Sequence, residues 1–227
     1  MTKNFQHELK VLFLDNHLIV VYKDFGVLAQ ADQPGGDSLI EQVKTYLKEK
    51  FNKPGNVFLG LVHRLDRPVA GVMVFARTSK AASRLSQQFR EGTPEKRYRA
   101  VIQGTPDETS ATLVHFLRKE KSLKATVFPR SAPESKRAEL SYSVESIVQS
   151  NAILDIELKT GRFHQIRSQL AFIGHPILGD KKYGAQHYLS EQRIALYASS
   201  ITFEHPITKK KMTVESPVPA GWPLFGS

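Results

Sequence analysis

The chain has 227 residues, with 32 Lys+Arg against 22 Asp+Glu for a formal charge of +10 at pH 7, and no cysteine. With 41% hydrophobic and 24% charged residues it has a globular rather than a disordered composition, and a chain this long buries roughly 70–75% of its unfolded surface without staples. The missing cysteines exclude disulfides, thiolate zinc sites and cysteine nucleophiles and point to a reducing compartment; no run of about 18 apolar residues offers a membrane span, and the polar start from Met1 to Lys10 has no signal-peptide centre, so a cytoplasmic protein is expected.

Val11 to Asp15 and Leu18 to Lys23 are β-rich runs separated by Asn16 and His17, a hairpin signal. Pro34, Gly35 and Gly36 break the chain before a helix expected from Leu39 to Phe51, where Leu39, Val43 and Leu47 recur on one face and Ser38 with Glu41 has capping-box spacing. Strand-like Val57 to Leu61 and Val72 to Ala76 bracket a loop holding His63-Arg64-Leu65-Asp66-Arg67-Pro68. Thr78 caps a second expected helix through Phe89, with Ala81, Leu85 and Phe89 on one face and Gly92, Thr93 and Pro94 as its stop. Strands are expected at Lys96 to Gln103, Ala111 to Leu117, Arg137 to Val148 and Ala152 to Lys159, a helix from Arg162 to Ile173, and final strands at Ile194 to Glu204 and Lys211 to Glu215 around a His205-Pro206-Ile207-Thr208 turn. Arg118 to Arg137 is rich in Lys and Arg, interrupted by Pro129 and Pro133, and reads as a solvated, mobile loop available to phosphate. Strands outnumber helices without regular alternation, which favours α+β with a largely antiparallel or mixed sheet. With no linker, repeat or composition break, residues 1–227 read as one domain.

A surplus of ten positive charges bears on partners and not on fold. Nucleic acid, an anionic membrane and plain solubility all fit it, so motifs decide. There is no phosphate loop, dinucleotide fingerprint, His-Glu-x-x-His pair or Gly-x-Ser-x-Gly elbow. His164 and His175 have no metal-ligand partner at helical spacing, so structural roles are expected for both, and no metal is expected. Two islands remain. In the first, Leu61 to Gly71, Asp66 lies between Arg64 and Arg67, whose guanidinium groups should keep it ionised as suits a nucleophile or base. In the second, Thr160 to Leu170 continuing through Gly174 to Asp180, Arg162 with Gln165 and His164 with Arg167 are three apart on a shared helix face.

His63-Arg64-Leu65-Asp66 followed by Gly71 and a Val-Met-Val-Phe-Ala strand resembles the signature of the RluA-type pseudouridine synthases. Lys96-x-Tyr98-x-Ala100, Gly161-Arg162-x-His164-Gln165-Ile166-Arg167 and Gly174-His175-Pro176-Ile177-x-Gly179-Asp180 match the same family, in order, across Val11 to Glu215. The resemblance implies an isomerase that converts uridine in tRNA or large-subunit rRNA to pseudouridine without metal or organic cofactor. It implies a mixed, mainly antiparallel central sheet with flanking helices and an RNA-binding cleft. By position, Asp66 is implied as the catalytic aspartate, Tyr98 as the aromatic residue against the target base and Arg167 as the aspartate's basic partner. Arg64, Arg67, His63, Arg162, His164, Gln165, Arg118, Lys119 and Lys121 are expected at the RNA.

Where the family commonly has Thr-Ser, this chain has Val69-Ala70; Phe163 stands where Thr is frequent, and Lys23-Asp24 replaces Lys-Pro. The few residues before the first strand leave no room for an accessory RNA-binding domain, so a stand-alone catalytic domain, a monomer by default, is expected. A noncatalytic RNA-binding or RNA-folding protein on the same scaffold is the alternative. A nucleoside glycosidase would need a second carboxylate, which only Asp180 or distant acids could supply.

Overall fold

The structure, a computed structural model, describes residues 9–31, 33, 36–186, 189 and 192–222. The expected break at Pro34 and Gly35, and most of the polar start from Met1 to Lys10, lie outside them. The chain forms two compact units, Met1–Pro94 with Ser200–Pro217, and Glu95–Ser199 with Val218–Ser227.

In the first unit β1 (Val11–Leu14) and β2 (Leu18–Lys23) make the expected hairpin. Asp15 accepts the backbone N–H groups of His17 and Leu18, each at 2.7 Å, which closes its turn. After α1 (Leu39–Lys50) and the short β3 (Gly60–Leu61), β4 (Ala70–Ala76) pairs antiparallel with both β2 and β3. All seven residues of β4 are buried, so its apolar run is a strand covered on both faces. α2 (Ser79–Glu91) follows, burying Ala81 and Leu85.

The two helix starts differ from each other. Thr78 accepts the Ala81 N–H at 3.2 Å, as its position predicts. Ser38 does not cap α1: its hydroxyl is fully buried with no hydrogen-bond partner among the described residues, and Glu41 turns to Lys44 at 2.8 Å. Capping-box spacing is present without the box, because burying Ser38 turned its hydroxyl away from the first turn. Thr78→Ala is therefore expected to cost about 1 kcal/mol, while Ser38→Ala should be neutral or stabilising because a buried unsatisfied hydroxyl is itself unfavourable. Urea unfolding midpoints of the two variants check the contrast.

The second unit is a five-stranded antiparallel array built from β5 (Glu95–Gln103), β6 (Ser110–Lys119), β7 (Ala125–Phe128), β8 (Lys136–Val148) and β9 (Asn151–Leu158), paired in the order β5-β9-β8-β6-β7. An isolated parallel bridge joins Gly104 and Asn151. β7 corrects the expected loop from Arg118 to Arg137. Ala125-Thr126-Val127-Phe128 is a β-forming run that pairs with 116–119, and the five residues between turn back through Leu123 at φ 56°. α3 (Gln165–Phe172) is shorter than expected because His164 is left-handed at φ 52°, so Arg162 and Phe163 precede the helix. A single 3-10 turn, Lys181–Tyr183, comes next. β10 (Leu196–Glu204) begins in this unit, and its residues Ser200–Glu204 pair antiparallel with β11 (Lys211–Glu215) in the first. The α+β class and mainly antiparallel pairing are those expected.

Candidate active site

Asp66 sits half-buried on the loop between β3 and β4. The turn Asp66–Val69 closes with the Val69 N–H donating to the Asp66 carbonyl at 3.1 Å. Beneath it lies Lys23, at the end of β2 and fully buried. Its ammonium donates to the carbonyls of Val69 at 2.6 Å, Asp24 at 3.0 Å and Arg67 at 3.2 Å. The three bonds match the three donors of a lysine ammonium. The Arg67 carbonyl also accepts the Gly26 N–H at 2.9 Å, and Arg67 Nε returns to the Gly26 carbonyl at 2.9 Å. Gly71, opposite Lys23 in the β2–β4 register, has φ 123°, where a side chain would be strained. Val69 and Ala70 are both buried, so this chain anchors the loop by apolar packing and by the Lys23 grip on the Val69 carbonyl, with no hydroxyl at either position.

His63 belongs to the same scaffold. Its Nε2 accepts the Val74 N–H at 2.9 Å, and its ring stacks on Phe89 with centroids 4.7 Å apart. Arg64 is exposed and makes no hydrogen bond or ion pair with a described residue.

In the second unit Tyr98 lies within β5, opposite Ile156 of β9, and is almost buried; Lys96 and Tyr98 share a face of the strand. Arg167, on α3, is clamped by Asp180 as a two-pronged ion pair, Nε to Oδ2 at 2.6 Å and NH2 to Oδ1 at 2.7 Å, with both side chains buried. Arg167 NH1 meets His164 Nε2 at 3.2 Å. A guanidinium can only donate, so Nε2 accepts and Nδ1 carries the imidazole proton. That proton is then given to the Tyr183 hydroxyl at 2.9 Å, which also accepts the Ala125 N–H at 2.8 Å. Burial, with the Arg167 charge adding to it, pushes the His164 pKa down to about 3. The relay from Asp180 through Arg167 and His164 to Tyr183 thus keeps one protonation state at neutral pH.

Gln165 is buried and holds the segment before α3. Its Oε1 accepts from Thr160 Oγ1 at 2.7 Å and the Arg162 N–H at 2.9 Å, and its Nε2 donates to the Glu139 carbonyl at 3.1 Å. Arg162 Nε donates to the Arg137 carbonyl at 2.9 Å. Arg118 pairs with Glu120 at 2.9 Å, while Lys119 and Lys121 are exposed. Within each unit the expected residues therefore gather, Arg64, Asp66 and Arg67 on one loop, and Arg162, His164, Gln165 and Arg167 around the start of α3. Lys23 and Tyr183 were missed by sequence reasoning, and Asp180 was considered only as a second acid. Among the described residues no group of three or more His, Asp or Glu side chains could hold a metal ion, and no helix is long and apolar enough to cross a membrane.

The family model for RNA pseudouridylate synthase matches residues 17–172. Ribosomal large subunit pseudouridine synthase C of Pasteurella multocida is 31% identical over 224 residues, 96% of this chain and 67% of that protein. The dual-specificity RNA pseudouridine synthase RluA of Haemophilus influenzae is 34% identical over 213 residues, 90% of this chain and 91% of that protein. The solved structure of human RNA pseudouridylate synthase domain containing 4 shares the fold, with a TM-score of 0.77 at 23% identity over 93% of this chain and 89% of that one. The chain belongs to the RNA pseudouridylate synthase family. Membership makes it an isomerase that acts on uridine in RNA.

In this pseudouridine synthase the buried lysine has a consequence for stability. Burial lowers the Lys23 pKa from 10.5 to about 7, although the Asp66 and Asp24 charges pull it up. Between those two values the unfolded chain holds a proton that the folded synthase lacks, so stability rises with pH across the window and the penalty is fully present below about pH 7. Lys23→Met should flatten that rise. Urea unfolding of both proteins at a series of pH values measures it, and parallel slopes would contradict it.

Proposed function

We propose that this synthase modifies uridines of large-subunit rRNA or tRNA, with Asp66 as nucleophile and Tyr98 and Arg167 as the other catalytic groups. It acts in the cytoplasm as a monomer. The reading is carried by the Asp66 loop, where a carboxylate rides on backbone held at Arg67 and Val69 by the buried Lys23 ammonium. A nucleophile fixed in this way loses little freedom on reaching its transition state. A uridine stacked in RNA must first leave its neighbours, at a few kcal/mol, and Tyr98 against the extruded base returns about 1–3 kcal/mol. The N-glycosidic bond then breaks, by Asp66 attack on the ribose or by elimination to a glycal. The ribose rejoins C5 of the same uracil as the C5 proton leaves and N1 gains one. Substrate and product are isomers, so RNA is the only reactant.

Arg64, Arg162, Lys119 and Lys121 supply phosphate contacts, and Arg118, paired with Glu120, stands at the RNA without one. His63, Arg67, His164 and Gln165 serve the RNA by holding the segments that carry those cations. The large-subunit ribosomal specificity in the name of the Pasteurella relative supports the choice of RNA. Mapping pseudouridines across the transcriptome of a deletion strain and its parent tests the reading. At least one uridine of large-subunit rRNA or tRNA should lose its modification and regain it with the wild-type gene. An unchanged map overturns the reading.

A further inference from the structure

The second unit contains a cavity of about 460 Å³, between the end of β6, the start of β8 and the segment before α3. Leu117, Lys119, Glu134, Lys136, Arg162 and Phe163 line it. We propose that this cavity is a backbone subsite that seats successive phosphodiester groups of the RNA strand, without reading its bases, through Lys119, Lys136 and Arg162. The proposal rests on the RNA reading above and adds to it a built pocket and one new contact residue, Lys136.

Charge is the first argument. Lys119, Lys136 and Arg162 face a single acid of the lining, Glu134, and neither lysine's ammonium forms a hydrogen bond or ion pair with a described residue. Arg162 is already oriented by its bonds from the backbone N–H to Gln165 and from Nε to the Arg137 carbonyl, which leaves its two terminal amino groups without a described partner. Three cations against one acid in a single lining repel one another. An anion relieves that repulsion. Arg118 also borders the cavity but is spent on Glu120 and lies over the Phe128 ring, 5.1 Å from its centroid, which makes it a wall.

Phe163 argues for phosphate over base. Its ring stacks on His164 with centroids 3.8 Å apart and planes at 17°, and the Lys119 ammonium stands 4.8 Å from the Phe163 centroid. Two groups that close must occupy opposite faces, so no face is left on which a base could stack. The ring instead holds Lys119 by a cation–π contact at the cavity edge. Contacts of this kind add affinity and register, and their signature is salt dependence.

The test is binding of a labelled single-stranded oligouridylate to the full chain by fluorescence anisotropy across a range of KCl. Lys119→Gln/Lys136→Gln should weaken binding and make the slope of log affinity against log salt shallower by about 1.4, at about 0.7 per phosphate contact on a single strand. Lys48→Gln/Lys53→Gln removes equal charge from exposed positions of the first unit and should change the slope by less than half as much. An unchanged slope in the first pair, or equal changes in both, overturns the pocket. A wild-type protein whose binding shows no salt dependence overturns the RNA reading as well. A wild-type protein that makes pseudouridine while the Lys119/Lys136 pair keeps its slope loses the pocket alone.

Discussion

Asp66→Asn and Asp66→Ala are expected to lower pseudouridine formation by about 10⁴-fold or more, the scale seen when a covalent nucleophile is removed. The amide of Asn keeps the size of the carboxylate but cannot attack or hold negative charge, and Ala cannot regain the acid by deamidation. Neither change removes the bonds from Lys23 to the carbonyls of Arg67 and Val69 or from Arg67 to Gly26. The fold and the affinity for RNA should therefore persist. One small cost is visible: Lys23 loses an attraction that supports its charged form, so the variants should be slightly less stable at and below neutral pH. Nucleoside chromatography of treated transcripts measures turnover, and anisotropy with the same RNA measures binding. Turnover within tenfold of wild type in Asp66→Ala would remove Asp66 from the nucleophile's role.

Much of this arrangement was legible in the chain itself. Alternation and turn residues located the β1–β2 hairpin, β4, the long β8–β9 pair and β11 to within a few residues. The Asp66 loop was read correctly as a segment between two strands. Lys23 was missed because a lysine at the end of an apolar strand ordinarily reaches solvent. The sequence marked Lys23 only as the family's Lys before a changed neighbour, and its register opposite Gly71 is visible only once the strands are paired. β7 was missed because four β-forming residues stand among cations whose number signals a loop. Ser38 misled in the other direction, since capping-box spacing says nothing about where a hydroxyl points once the residue is buried. Tyr183 could not be found from spacing, because its bonds to His164 and to the Ala125 N–H close over sequence distances that no local pattern spans.

Asp180→Ala is expected to cost about 3–5 kcal/mol of stability, the range for truncating one member of a buried ion pair. The carboxylate takes two guanidinium donors of Arg167 at 2.6 and 2.7 Å, with side chains only 7% and 1% exposed for Arg167 and Asp180. Desolvation therefore falls on a cation deprived of the carboxylate that takes two of its donors. The backbone of the turn survives the change, because the Asp180 carbonyl still accepts from Tyr183 at 3.0 Å and Ala185 at 3.1 Å. Asp180→Asn should cost less, since one amide oxygen remains to accept. Activity should fall in both, as the guanidinium loses the fork that aims it and His164 loses a fixed donor. Arg167→Met/Asp180→Leu separates the two effects. Replacing both charges by apolar groups of similar size is often neutral or stabilising, so the double variant should recover most of the stability lost in Asp180→Ala while remaining inactive. Urea unfolding with turnover on the same preparations decides it: an active double variant would make the pair purely structural, and an Asp180→Ala cost below about 1 kcal/mol would place it with ordinary surface pairs.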